Sequence, residues 1–347
     1  MGEPMPGARF RLTMLLCLAA VVAIFAQGVN FEIARRTRAR EALEAEDLLQ
    51  RARAKLGGVA LLSADEISAL EHDPRLPALC RAANNILSLH EKKRPPRSDD
   101  WLAKYQESGQ TFDQYLRSNP NRPSGRLTRF YLQPIGEFTV AQRRAVEETA
   151  ELLSRFYSLP VELLDPLSLD LIPLQARRTH PRWGDEQLLT TYILDDILTP
   201  RRPDDAVAVL ALTTADLWPG ENNFVFGQAS RTERVGVWSL YRYGDVNGPE
   251  SNDLFRRRLF KVALHETGHM LGIIHCTAYE CCMNGSNGLE ELDSNPMWLC
   301  PECVQKVWWA CSADPVQRYR RLVEFAENNR LVEEAAFWAR SRDSLDE

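Results

Sequence analysis

Residues 265–285 read HETGHMLGIIHCTAYECCMNG. Three of the chain's six histidines and three of its eight cysteines fall in this stretch, where an ordinary core helix would place apolar residues. His265 and His269 stand four apart, which on a helix puts both imidazoles on one face with about 6 Å of rise between them. That span suits chelation of one zinc ion. Glu266 follows His265 directly; it is badly placed to ligate the same ion but can reach a water bound to it. Gly272 accepts the left-handed conformation that ends a helix, so His275 can return from the turn as a third ligand. Three histidines leave a fourth position open, which separates a catalytic zinc from a structural one. Zinc would bring the pKa of a water there to roughly 7, and Glu266 as general base would take its proton and pass it to a leaving amine. At this chain's composition the spacing HExxHxxGxxH arises by chance on the order of once in 10⁵ sequences, so three unrelated core histidines are the poorer reading.

The cysteines begin at once. Cys276 follows His275, Cys281 comes five residues later, and Cys300 and Cys303 bracket CPEC. Six of the eight cysteines crowd between 276 and 311, whereas a disulfide scaffold would spread its pairs. Four thiolates in two pairs suit a closed tetrahedral zinc site that would clamp the segment behind the helix and hold His275 in place. The expectation is therefore two zinc ions per chain, one reactive and one structural. Cys282 cannot easily face the same way as Cys281 and is read as packed or free; Cys80 and Cys311 show no partner.

With 347 residues, 44% hydrophobic content and eight tryptophans, the chain can bury a core. Its net charge of −6 gives no electrostatic footprint for nucleic acid. Leu12 to Ala26 are apolar except for Thr13, long enough for a signal-peptide core and short for a full span. Arg35, Arg36 and Arg38 follow it, and AQG at 26–28 is a weak cleavage site, so 1–31 is expected to stay as a membrane anchor whose sidedness is open, with export after cleavage as the alternative. Residues 32–56, rich in Ala, Leu, Glu and Arg, predict a helix, and Ser63 with Glu66 forms a capping box opening another. The polar stretch 117–126 predicts a boundary between a helical extension, 32–125, and a catalytic domain, 126–347. Beyond it, 127–138 predicts a strand, 140–159 an amphipathic helix, 186–198 a second helix, and 205–213, 223–230 and 234–243 further strands before the motif helix at 253–272. Strands and helices in that order predict an α/β (α+β) twisted mixed sheet covered by helices.

HETGHMLGIIHC, then CCM at 281–283, then CPEC resembles the archaemetzincin family of zinc metallopeptidases, and 213–230 and 235–243 resemble its strands ahead of the active-site helix. The resemblance covers about 126–315. It implies a zincin-type catalytic domain with His265, His269 and His275 on the catalytic zinc, Glu266 as base, and Cys276, Cys281, Cys300 and Cys303 on the second zinc. It also implies that Met283 is the methionine of the turn beneath the catalytic zinc; spacing alone would make it core. The substrate would be a peptide or protein, held along an edge strand near 234–243. The rival readings are a catalytically silent, zinc-stabilised and membrane-tethered interaction module, which the presence of Glu266 disfavours, and a membrane-tethered structural protein whose cysteines form disulfides in an exported compartment. His180 is read as a surface histidine, and Tyr241 and Tyr243 as strand packing residues.

Overall fold

The computed structural model describes residues 73–220 and 223–346, all within one compact unit. The apolar run at 12–26 and the helices expected at 32–56 and from 63 onward lie outside the described residues. No helix among the described residues is long and apolar enough to cross a membrane.

Chain order begins with α1 (Leu76–Asn85) and the short α2 (Phe112–Arg117). At the start of α2, Thr111 Oγ1 accepts from Gln114 N and Gln114 Oε1 accepts from Thr111 N, so two free amide groups of the first turn are satisfied. These elements share one hydrophobic core with the rest: Leu79, Phe112, Tyr115 and Leu116 pack in the same cluster as Phe260 and Trp309. The polar stretch 117–126 lies within that unit. The Asn121 amide donates to Val207 O and Met270 O, tying that stretch to both the sheet and the motif helix.

Next come β1 (Arg129–Ile135), α3 (Val140–Tyr157), β2 (Val161–Leu163), β3 (Arg177–Thr179), β4 (Glu186–Leu189), β5 (Ala206–Thr213), β6 (Asp216–Trp218), β7 (Gly227–Ser230) and β8 (Val235–Ser239). The main sheet has the order β2-β1-β5-β8-β7, parallel throughout except for the antiparallel β7. Parallel strands covered on both faces read as continuous apolar runs, and every residue of β5 is buried. Phe130, Leu132, Leu210, Leu212 and Trp238 face α3 and the motif helix, while Tyr131, Val209, Ala211 and Val237 face Ile193 and Ile197 on the opposite side. A bulge pairs Arg129 with Ala206 but Phe130 with Ala208, so Val207 and Ala208 both join the first core. The motif helix is α4 (Pro249–Met270); α5 (Leu289–Ser294), α6 (Pro301–Ala310), α7 (Pro315–Asn328) and α8 (Val332–Asp346) follow.

Three sequence expectations change. The helix expected over 186–198 begins only at Thr190 and is π-helical over Ile193–Leu198. Glu186–Leu189 is strand because the buried Gln187 amide donates to the fully buried Asp216 carboxylate on β6, 2.7 Å away, which also receives Arg242. Residues 241–243 form a 3₁₀ turn rather than strand. Finally β8 lies inside the sheet, between β5 and β7, so the edge strand on that side is β7, with β2 at the opposite edge.

The N-terminal end of the described chain is pinned by Asp73, which accepts from Arg75 at 2.7 Å and from Trp309 Nε1 at 3.0 Å. The Arg75 guanidinium lowers the Asp73 carboxyl from 3.8 to about 2. A carboxyl held below its unfolded value contributes stability that is complete above the unfolded pKa and lost as pH falls through the folded one. Asp73→Asn should therefore lower Tm near neutral pH, and the gap from the unaltered protein should close between about pH 5 and about pH 2. Thermal melts across that range check this; a gap independent of pH refutes it.

Candidate metal centre

Helix α4 carries His265, Glu266, Gly268 and His269 on its last turns and ends where the sequence predicts. Gly272 adopts φ +82°, Gly272 N donates to His269 O at 2.9 Å, and Ile273 N donates to Gly268 O at 3.0 Å. These bonds close a left-handed helix end and turn the chain back on itself. His275 thereby reaches the face that carries the other two histidines. One ligand atom from each of the three lies within 4.8 Å of the others.

Each ring spends the same nitrogen elsewhere. His265 Nδ1 donates to Cys282 O at 2.8 Å and His269 Nδ1 to Ile273 O at 2.6 Å. A carbonyl only accepts, so these rings carry their proton on Nδ1 and leave the Nε2 lone pair free. His275 Nδ1 meets both oxygens of Glu107, at 2.9 and 3.0 Å, with the same result. Burial holds the His265 pKa at about 3 and His269 well below the usual histidine range, so both rings are neutral, the form that binds metal. Three rings whose Nδ1 atoms are engaged and whose ligand nitrogens converge fit a zinc ion. Glu266, one residue along from His265, is pushed up to about 7 by burial, with His275 and Trp238 pulling the other way.

Cys276, Cys281, Cys300 and Cys303 form a second cluster, also within 4.8 Å and all buried. Cys276 Sγ stands 3.6 Å from Cys300 Sγ, and Cys281 Sγ accepts from the backbone amides of Met283 (3.4 Å) and Cys300 (3.3 Å). Cys276 is held low by S–H donation from its three neighbours, whereas burial pushes Cys281 and Cys300 well up. Four buried sulfurs this close together are the donor set a tetrahedral zinc takes.

Met283 is fully buried against Gly268: a Cβ built there would sit 2.5 Å from Met283 Sδ. The turn between the two clusters is braced by Asn284, whose amide donates to Cys276 O and Tyr279 O and whose Oδ1 accepts from Cys281 N. Neither Asn284 nor Glu107 announces itself in sequence, because neither belongs to the motif and Glu107 lies 168 residues from its partner. Cys282 and Cys311 are buried and free, and Cys80 is exposed and free. His180 belongs to neither cluster, and it is not on the surface as expected: it is buried and stacked on Trp183 with ring centroids 3.5 Å apart. Tyr243 is buried close enough to Glu266 to feel its charge, while Tyr241 is half-exposed beside Asp185.

Residues 191–308 match the model of peptidase family M54. Archaemetzincin-2 of Pongo abelii is 33% identical over 268 residues, covering 66% of this chain and 72% of that protein. Archaemetzincin of Pyrococcus furiosus is 30% identical over 176 residues, covering 50% of this chain and 89% of that protein. The crystal structure of archaemetzincin from Archaeoglobus fulgidus is 29% identical, with a TM-score of 0.41 over 51% of this chain and 99% of that one.

The Gly268–Met283 contact leaves no room for a methyl group. Gly268→Ala should cost about 1–3 kcal/mol in stability through overpacking. It should also weaken zinc at the three histidines more than at the four cysteines. Met283→Ala in the same chain should restore part of the loss, since the clashing partner is gone. Melts and metal titrations of both variants test this; a fully additive double variant would show that the two residues do not meet.

Proposed function

Because the chain belongs to the archaemetzincin family and is therefore a zinc metallopeptidase, we propose that it hydrolyses peptide bonds with Glu266 as general base. In this reading His265, His269 and His275 hold the catalytic zinc, and Cys276, Cys281, Cys300 and Cys303 hold a second, structural one. The observation that carries the proposal is the convergence of three histidine nitrogens whose other nitrogens are all occupied. Zinc bound there supplies a Lewis acid that polarises the scissile carbonyl and acidifies a water to a pKa of about 7. Glu266, adjacent on the helix and buried enough to bind a proton near neutrality, accepts that proton and delivers it to the leaving amine. Met283 under Gly268 keeps the floor of the site apolar.

An extended peptide has a natural partner in β7, the edge strand, whose residues are all partly exposed and which pairs only with β8. Adding a strand there would use main-chain hydrogen bonds to hold substrates of varied sequence. The four-cysteine zinc, one residue beyond His275, would fix the turn that presents this ligand. A module that binds zinc without cleaving anything is disfavoured by the presence of Glu266 beside the three histidines.

Glu266→Gln should leave zinc content and Tm nearly unchanged and lower turnover by about 10²–10⁴-fold. Cys300→Ser should instead lower stability first, by opening the structural site. Metal analysis of the unaltered protein should give about two zinc ions per chain, with the three-histidine site stripped first by mild chelation because its fourth position is open. Unaltered turnover in Glu266→Gln, measured on peptides from a cleavage library, would refute the proposed base.

The apolar run from Leu12 to Ala26 is too long and too free of charge to stay in water, and the arginines after it favour retention. We propose that it anchors the protein to a membrane, with the thiolate cluster favouring a reducing compartment. The protein should then pellet with membranes, resist alkaline carbonate and keep its N-terminus. A soluble form beginning near Val29 would indicate export after cleavage instead.

A further inference from the structure

The three histidines are not oriented in the same way. His265 and His269 donate to backbone carbonyls of residues 282 and 273, which belong to the motif segment itself. His275 alone donates to a side chain, Glu107, from a part of the chain 168 residues away and outside the matched family region 191–308. We infer that Glu107 is a positioning residue for the catalytic metal. It fixes the His275 tautomer and ring plane, and it makes the 73–125 segment part of the active site. This rests on the three-histidine zinc reading given above.

The contact is not a loose surface pair. The side chains of His275 and Glu107 are only 18% and 29% exposed, so the bond is partly shielded from water. Trp101 packs edge-on against the His275 ring, centroids 5.1 Å apart and planes at 79°, and stacks at a tilt on Tyr105. The segment that carries them is held at both ends. Glu291 accepts from Trp101 N, Glu302 accepts from Phe112 N, and the buried Lys306 ammonium donates to Gln110 O at 2.6 Å. Gly109 turns the chain two residues after Glu107 with φ +69°, packed against Thr277, two residues past His275. A carboxylate held this firmly on Nδ1–H raises the basicity of Nε2, and loss of such a partner typically weakens metal binding 10–100-fold. By linkage, metal at the three histidines and docking of the 73–125 segment stabilise each other to the same extent.

Cobalt separates the two sites in one titration, because thiolate ligands give an intense charge-transfer band and a nitrogen site only weak visible bands. The full-length metal-free chain, Glu107→Ala and Glu107→Gln should each be titrated with Co²⁺ and followed at both bands. Expected for Glu107→Ala is about 10–100-fold weaker cobalt at the nitrogen site with the thiolate site unaltered. Gln should recover part of the loss, since its Oε1 still accepts from Nδ1–H. A nitrogen-site affinity within about twofold of the unaltered chain overturns the inference. Equal weakening at both bands overturns it too, since Glu107 would then serve folding alone. An unaltered chain with no nitrogen-site band overturns the zinc reading along with this inference, which tells the two failures apart.

Discussion

Two neighbouring residues, His275 and Cys276, must serve two different clusters. In an extended or turning backbone adjacent side chains diverge, so the chain can satisfy this only if the two sites sit on opposite sides of a single strand of polypeptide. Gly272 sets the turn that delivers this strand, with its positive φ, and Asn284 closes the loop behind it through Cys276 O and Cys281 N. The three-histidine cluster and the sulfur-lined one are thereby joined at one peptide bond. Anything that displaces the cysteines displaces the third histidine with them.

The 73–125 segment is built to hold that arrangement from outside. Most of its ties run to the end of the motif helix, the turn, α5, α6 and its C-terminal end, while Asn121 reaches Val207 O on β5: Lys93 to Glu280, Trp101 N to Glu291, Gln110 to Lys306, Tyr115 Oη to Leu271 O, and Arg75 to Ser312. Two of these, Glu291 to Trp101 N and Lys306 to Gln110 O, place a charge against a backbone group, where a charge-assisted bond is stronger than a neutral one. The edge of the motif turn is therefore covered by chain that the motif does not include.

How much of this was readable in advance depends on the range of the interaction. The 3.6-residue repeat of 140–157 and the unbroken apolar run of 206–213 are local signals, and both became the elements they predict. The histidine and cysteine spacings are local too, and their ligand atoms converge. Met283 needed a family resemblance, because nothing about a methionine in a turn marks it out until it is seen packed against Gly268. Gln187 and its neighbours look helical because the pattern cannot show the Asp216 carboxylate that holds them as strand. His180 looks exposed because RRTHPRW is polar, while its ring is covered by Trp183. Glu107 is the clearest case: a glutamate in a polar stretch is ordinary until the fold brings it to His275.

The wide sequence separation of these ties has a consequence for how the molecule comes into being. Glu107 leaves the ribosome 168 residues before His275, which at about 5–20 residues per second is roughly 8–34 s. Over that interval the segment carrying Trp101 and Glu107 has no partner to dock on. The parallel β1, β5 and β8 likewise wait for their crossovers, since non-local pairing repays its loop-closure entropy late. Assembly of the two clusters is thus deferred until most of the chain exists. A nascent, truncated copy that ends before residue 275 carries Glu107 without the ring it meets and at most two of the three clustered histidines.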